Sequence, residues 1–158
     1  MKIAHIFCIV LLLSSTFAKK RNYTLFKQCD GKWGSNKLGT SSNTICKAGC
    51  AMSSVAMILA TYGLKTSGAA TNPGNLNTWL THNGGYVSGD LLVWGSVSKL
   101  GLPYINSYSG HAQAIPAFDK NQNIVLNVNN GGHFVIRRTF SFFNYHIKNL
   151  FYSFFISY

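Results

Sequence analysis

The stretch Gly49-Cys50-Ala51-Met52-Ser53-Ser54-Val55-Ala56-Met57-Ile58-Leu59 predicts a buried helix that begins at a cysteine. Residues 50–62 are helix formers or small residues, and Gly63 follows them as a C-terminal stop. Apolar side chains fall on nearly every side of this helix, which is typical of a helix inside a core. The positive field of a helix N-terminus favours the thiolate of a cysteine in the first turn, and the thiolate is the nucleophile. The alternative is a structural cysteine, because free cysteine is commonly buried.

Residues 1–18 have the features of a secretory signal peptide. Lys2 gives a short positive start, residues 6–13 form an apolar run, and residues 16–18 (Thr-Phe-Ala) fit a cleavage site. The apolar run is too short to span a membrane, and the alternative is a buried N-terminal helix. We therefore expect a mature chain that begins near Lys19 and is secreted or held in an endomembrane lumen, whether extracellular, vacuolar or lysosomal.

The cysteine count becomes odd when the signal peptide is removed. The chain has 4 cysteines, and the loss of Cys8 leaves Cys29, Cys46 and Cys50. An odd number in a secreted chain implies one unpaired thiol or one intermolecular bridge. A bridge between Cys29 and Cys46 would stabilise the fold by about 3 kcal/mol in the loop-entropy account and would leave Cys50 free. The sequence alone leaves this pairing open.

The chain is strongly basic, with 14 Lys and Arg against 3 acidic residues and a net charge of +11. Such a balance favours anionic surfaces, including membranes, nucleic acids and bacterial wall polymers. The basic residues are scattered apart from Lys19-Lys20-Arg21, and we find no nucleic-acid-binding motif. Asn22 lies in the glycosylation sequon Asn22-Tyr23-Thr24.

Local patterns predict helices first and strands afterwards. Asn72 and Pro73 fit the cap and first residue of a second helix that reaches about His82. A third helix is predicted over residues 88–99, a weak strand over 113–118, and a hairpin of strands 123–129 and 133–137 around the turn 130–132. This order predicts an α+β domain whose strands pack against the buried helix.

Residues 138–158 have an atypical composition for a folded domain. From Phe140 onward the chain is rich in Phe, Tyr and Ser and lacks Gly, Pro, Asp and Glu. We interpret this segment as an error in the gene model or as a degenerate tail. The alternative is a genuine apolar strand or membrane-associating segment, which would favour aggregation if it were exposed.

A thiolate nucleophile needs a base, and histidine is the usual one. His133 is the best placed, because it begins a predicted strand directly after a Gly-Gly turn. The carbonyl under attack also needs hydrogen-bond donors, which the backbone N–H of Cys50 and the side-chain amide of Gln28 could supply. No metal site is expected, because the cysteines and histidines lack the paired spacings of zinc ligands.

Three pieces of the sequence together resemble the peptidase C39-like family, which has the papain-like cysteine peptidase fold. They are residues 28–34, 44–58 and 132–136, in the order Gln, Cys, His, and the similarity extends over about residues 23–137. The resemblance implies a peptidase C39-like domain over residues 19–137. It also implies Cys50 as nucleophile, His133 as general base and acid, and Gln28 as oxyanion donor, without a cofactor.

The chain departs from the family pattern after the histidine. The family usually places an Asp on a following strand to orient the imidazole, whereas no acidic residue follows Asp119 in this sequence. Asn144 and Asn149 are the candidate orienting residues, because an asparagine orients the histidine in some papain-like sites. Loss of the orienting residue would reduce the rate without removing the Cys/His pair.

Three functions therefore remain to be distinguished. The first is a secreted, monomeric cysteine peptidase that hydrolyses peptide or protein substrates by thiol protease chemistry. The second is a catalytically impaired papain-like fold that binds peptides or cell-wall material. The third is a small cationic protein that acts on anionic membranes without stable insertion, in which Cys50 is structural.

Overall fold

The computed structural model describes residues 20–109, 116–117, 120–129 and 131–138, and the backbone of residues 152–156. In these ranges helices combine with small antiparallel sheets, so the fold is α+β, as predicted. The elements, in chain order, are α1 (Ile45–Ala48), α2 (Cys50–Thr61), β1 (Lys65–Thr66), β2 (Ala69–Ala70), α3 (Pro73–His82), β3 (Tyr86–Val87), β4 (Leu91–Leu92), a 3-10 helix (Trp94–Leu100), β5 (Tyr104–Tyr108), β6 (Asn123–Val128), β7 (His133–Ile136) and β8 (Tyr152–Ile156).

The predicted buried helix is confirmed as α2, which ends at Thr61. Gly49 separates it from α1 and brings the two helices close together. A side chain at this position would place its Cβ 2.6 Å from the Ile45 carbonyl oxygen, which only glycine avoids. One face of α2 carries fully buried apolar side chains, including Val55, Ile58 and Leu59. Cys50 is thus the first residue of a helix that is anchored in the core.

The second predicted helix is confirmed as α3, with the predicted cap. The Asn72 side chain accepts a hydrogen bond from the backbone N–H of Asn75, and the Asn75 side chain accepts one from the Asn72 N–H. Pro73 occupies the first helical position, where its missing N–H has no cost. Leu76 and Leu80 are fully buried on the face that meets α2.

The third predicted helix, over residues 88–99, is wrong in its first half. Strands β3 and β4 pair there as a hairpin, with Val87 opposite Leu91. Ser88 and Gly89 have φ values of 52° and 91° in the connecting turn, a left-handed conformation that a helix start does not allow. A 3-10 helix follows over Trp94–Leu100.

The main sheet has the strand order β5-β8-β6-β7, and its pairings are antiparallel. The predicted hairpin is confirmed as β6 and β7, with Val125 opposite Ile136 and Val128 opposite His133. Strand β5 was not predicted, and the weak strand over 113–118 lies mostly outside the described residues. Residues 152–156 of the predicted tail form strand β8, which lies between β5 and β6.

Helix α2 packs against one face of the hairpin. Val125 of β6 and Phe134 and Ile136 of β7 join the same apolar cluster as the buried residues of α2. The hydroxyls of Tyr23 and Tyr62 donate to Asn123 Oδ1 at 2.8 and 3.1 Å and tie the N-terminal segment and the end of α2 to β6. Burial raises the pKa of Tyr23, which keeps this hydroxyl a donor. No helix in the described ranges is long and apolar enough to cross a membrane.

Candidate functional site

The disulfide between Cys29 and Cys46 is present, which confirms the pairing considered from the sequence. Cys50 is a free thiol and is half-buried. Disulfides form and persist in oxidising compartments, so this bond is consistent with a non-cytosolic location. The bond also ties the N-terminal segment to α1, the short helix that precedes α2.

Residues 21–28, called the arm below, run antiparallel to α2. The backbone N–H of Thr24 donates to Thr61 Oγ1 at 2.8 Å, at the end of α2. Gln28 Nε2 donates to the Ile45 and Cys46 carbonyl oxygens at 2.9 and 2.8 Å, near the start of α2. These bonds fix both ends of the arm along the helix. Asn22 is exposed on the arm, and its glycosylation remains a prediction.

Strand β7 runs parallel to α2 on the other side. The Arg21 N–H donates to the Arg138 carbonyl oxygen at 2.8 Å, so the chain just after β7 meets the start of the arm. The start of β7 therefore lies toward Gln28 and the first turn of α2. The arm, α2 and β7 are three segments that lie side by side.

A cavity of about 330 Å³, called the groove below, opens between these three segments. Gln28, Cys50 and His133 all line it, so the structure brings the three predicted catalytic residues to one site. Its floor is α2 and its walls are the arm and β7. The remaining lining residues are Leu25, Phe26, Ser53, Ser54, Met57, Phe134, Val135, Ile136 and Arg138.

Cys50 and His133 share the groove but are not hydrogen-bonded to each other. His133 is exposed and is the first residue of β7, after a turn in which Gly131 has φ 89°. Because strand side chains alternate and Phe134 and Ile136 pack in the core, His133 falls on the other face of β7. Since Cys50 and His133 both line the groove without a hydrogen bond between them, the imidazole must move to pair with the thiol. Catalytic hydrogen bonds are often open in unliganded sites, so this geometry is compatible with a pair that closes on substrate.

Gln28 is committed to the backbone in the resting structure. Its side-chain nitrogen carries two hydrogens, and two carbonyl oxygens accept them. An oxyanion donor at this position requires one of these two bonds to be released or shared. The residue therefore has a structural role that the sequence did not predict, beside the predicted catalytic one.

The predicted orienting residues Asn144 and Asn149 lie outside the described residues. Strand β8, which follows them in the chain, pairs with β5 and β6 rather than with β7. In the part of the chain that the structure describes, no side chain forms a hydrogen bond with the His133 ring. The imidazole is thus not oriented by any described side chain.

Several lining residues were not predicted to belong to the site. Ser53, Ser54 and Met57 follow Cys50 by three, four and seven residues, which is the spacing of one helix face. Helical periodicity could have placed them beside the thiol. Arg138 was assigned to the atypical tail, yet it lines the groove.

Ser53 is the least expected of these residues. Its side chain is 2% exposed, and its hydroxyl has no hydrogen-bond partner among the residues that the structure describes. No group of three or more His, Cys, Asp or Glu side chains that could hold a metal ion occurs in the described ranges.

Comparisons of the chain with protein-family models, with curated proteins and with solved structures find no match.

Proposed function

We propose that this protein is a secreted cysteine peptidase with a papain-like fold that hydrolyses peptide bonds through an acyl-enzyme. The observation that supports this function best is the convergence of Gln28, Cys50 and His133 on one groove. The only other described cysteines are joined in a disulfide, so Cys50 is the thiol that remains for chemistry. The groove volume lies in the range of ligand-binding clefts.

The reaction proceeds in two halves. The Cys50 thiolate attacks the substrate carbonyl carbon, and protonated His133 then gives its proton to the leaving amine as the C–N bond breaks. The product of this half is a thioester on Cys50. Neutral His133 then takes a proton from water, the resulting hydroxide attacks the thioester, and the acid product leaves as the thiolate and the imidazolium are restored.

The negative charge on the carbonyl oxygen is stabilised by hydrogen-bond donors. The N–H of Cys50 lies in the first turn of α2, where backbone N–H groups have no partner within the helix. Gln28 supplies a second donor when one of its bonds to Ile45 and Cys46 is released. A positioned donor of this kind contributes about 10²–10³ in rate.

A second function has an observation of its own in its favour. Cys50 and His133 are not hydrogen-bonded, and no described side chain orients the imidazole. This arrangement also suits a catalytically impaired papain-like fold that binds a peptide or cell-wall material in the groove. In that case binding would survive without turnover.

The test compares hydrolysis of a mixed peptide library by the mature protein and by Cys50→Ser and His133→Ala. We expect Cys50→Ser to lower the rate by at least about 10⁴-fold, because an oxygen without a strong base is a poor nucleophile. His133→Ala should fall by a similar factor. The matched control is His82→Ala, whose ring contacts the Thr78 carbonyl oxygen at the end of α3 and should keep full activity.

Undiminished hydrolysis by Cys50→Ser contradicts the peptidase function. Saturable peptide binding without hydrolysis by the unaltered protein favours the impaired binding fold instead. Mass spectrometry of the library identifies the cleaved bonds in the same experiment.

A further inference from the structure

The floor of the groove contains a buried hydroxyl, that of Ser53, without a hydrogen-bond partner in the described part of the chain. The hydroxyls of three threonines at helix positions donate to the carbonyl oxygen four residues earlier; they belong to Thr61, Thr78 and Thr81. Ser53 has no such bond, although it is more deeply buried than any of them. An unpaired buried hydroxyl costs free energy, and a peptide group, which has both a donor and an acceptor, would satisfy it after rotation about χ1. Ser53 thus points to a polar ligand that lies along α2.

The far end of the groove carries a cation. Arg138 follows the end of β7 by two residues and lines the groove. Its Nε donates to the Arg21 carbonyl oxygen at 3.4 Å, a long bond that leaves the two terminal nitrogens of the guanidinium for other partners. A guanidinium binds a carboxylate by two parallel hydrogen bonds.

Among the described residues, the groove has no acidic side chain to neutralise this cation. None of its lining residues is Asp or Glu. Asp30 Oδ1 accepts from the Lys32 N–H, and Asp90 Oδ2 accepts from Asn43 Nδ2, and neither aspartate lines the groove. A substrate carboxylate at this end would therefore meet an attractive charge without competition from a described acidic group.

The distance between the two ends sets the position of that carboxylate. Cys50 and Met57 are separated by about 10 Å along α2, at 1.5 Å per residue. His133 and Arg138 are separated by about 17 Å along the extended chain. An extended peptide covers these lengths with about three to five residues.

We propose that the groove binds an extended peptide with a carboxylate about three to five residues from the cleaved bond, and that Arg138 recognises this carboxylate. The inference rests on the proposed function for the position of the cleaved bond. The carboxylate belongs either to an acidic side chain or to the C-terminus of the substrate. Ser53 contacts the peptide between the two ends.

The experiment uses matched quenched peptides in which Glu replaces Gln at the third, fourth or fifth residue on either side of the cleaved bond. A further pair ends at these distances with a free or an amidated C-terminus. For at least one of these peptide pairs, we expect kcat/KM to be about tenfold higher for the peptide with the carboxylate than for its neutral counterpart, as charge-assisted hydrogen bonds imply. Arg138→Gln should bring the ratio of the two kcat/KM values to about one. Arg138→Lys keeps the charge but cannot bind the carboxylate by two parallel hydrogen bonds, so it should give an intermediate ratio. Lys65→Gln is the control, because it removes the same charge from an exposed strand outside the groove.

Binding of the same peptides to Cys50→Ser, measured by fluorescence anisotropy, separates the two proposals. Carboxylate preference in binding that depends on Arg138, without hydrolysis by the unaltered protein, supports the subsite and rejects the peptidase. Hydrolysis with a ratio near one for every peptide pair overturns the proposed carboxylate subsite but not the proposed peptidase function. A ratio that stays high in Arg138→Gln has the same meaning. Neither hydrolysis nor binding overturns both.

Discussion

The two walls of the groove are held in different ways. The arm is fixed by the disulfide between Cys29 and Cys46, by the two hydrogen bonds of Gln28, and by the contact of Phe26 with Trp33 at 5.6 Å between ring centroids. Strand β7 is the last strand in the described sheet and pairs with β6 alone. One wall is therefore clamped and the other is the edge of a sheet.

This difference divides the site into a preformed half and a half that must rearrange. The cysteine lies at the start of a helix most of whose residues are buried, so its position follows from the core. The histidine lies on the edge strand, is exposed, and reaches the thiol only after its side chain moves. An exposed side chain changes rotamer at low free-energy cost, which suits a site that closes on its substrate.

Removal of the disulfide should have the largest effect on the clamped wall. We predict that the double variant Cys29→Ser, Cys46→Ser loses about 3 kcal/mol of unfolding free energy, because the bond closes a loop of 17 residues. Urea unfolding followed by tryptophan fluorescence measures this loss. A loss below about 1 kcal/mol would show that hydrogen bonds alone hold the arm.

Gln28→Ala should affect both folding and rate. The loss of two hydrogen bonds should lower the unfolding free energy by about 1–3 kcal/mol. If Gln28 also binds the oxyanion, kcat should fall by about 10²-fold or more at a temperature where the variant is fully folded. Gln122→Ala is the control, since that side chain does not line the groove. Lower stability with unchanged kcat would leave Gln28 with a structural role alone.

The smallest predicted change in unfolding free energy concerns Ser53 of α2, the helix that forms the floor of the groove. Ser53→Ala removes an unpaired buried hydroxyl and should raise the unfolding free energy by about 1 kcal/mol in the absence of ligand. Ser96→Ala should lower it by a similar amount, because Ser96 Oγ donates to the Val93 carbonyl oxygen at 2.6 Å. Thermal unfolding of the two variants side by side tests the opposite signs. Destabilisation by Ser53→Ala would mean that this hydroxyl has a partner.

Features that depend on local chemistry could be predicted from the sequence. The cap of α3, the start of α2 at Cys50 and the hairpin of β6 and β7 follow from patterns within a few residues of each other. The convergence of Gln28 and Cys50 was predictable because the disulfide brings distant segments together.

Features set by long-range pairing could not be predicted in the same way. The position of β8 between β5 and β6 depends on contacts among segments far apart in the chain, and it makes β7 an edge strand. The face on which His133 lies follows from the register of β7 against the core, which a shift of one residue would reverse. The turn at Ser88 and Gly89 shows a further limit, because left-handed backbone conformations there replaced the expected helix start.

The most direct test is the alkylation rate of Cys50 at pH 6 in the folded protein, in the urea-unfolded protein and in folded His133→Ala. Intact-mass spectrometry with a small dose of a peptidyl chloromethyl ketone, which occupies the groove as a peptide substrate would, gives each rate. We predict that folding accelerates alkylation by at least about tenfold, because a paired thiolate reacts and a thiol does not, and that His133→Ala removes the acceleration. Equal rates in the folded protein and in folded His133→Ala would contradict a Cys50–His133 pair.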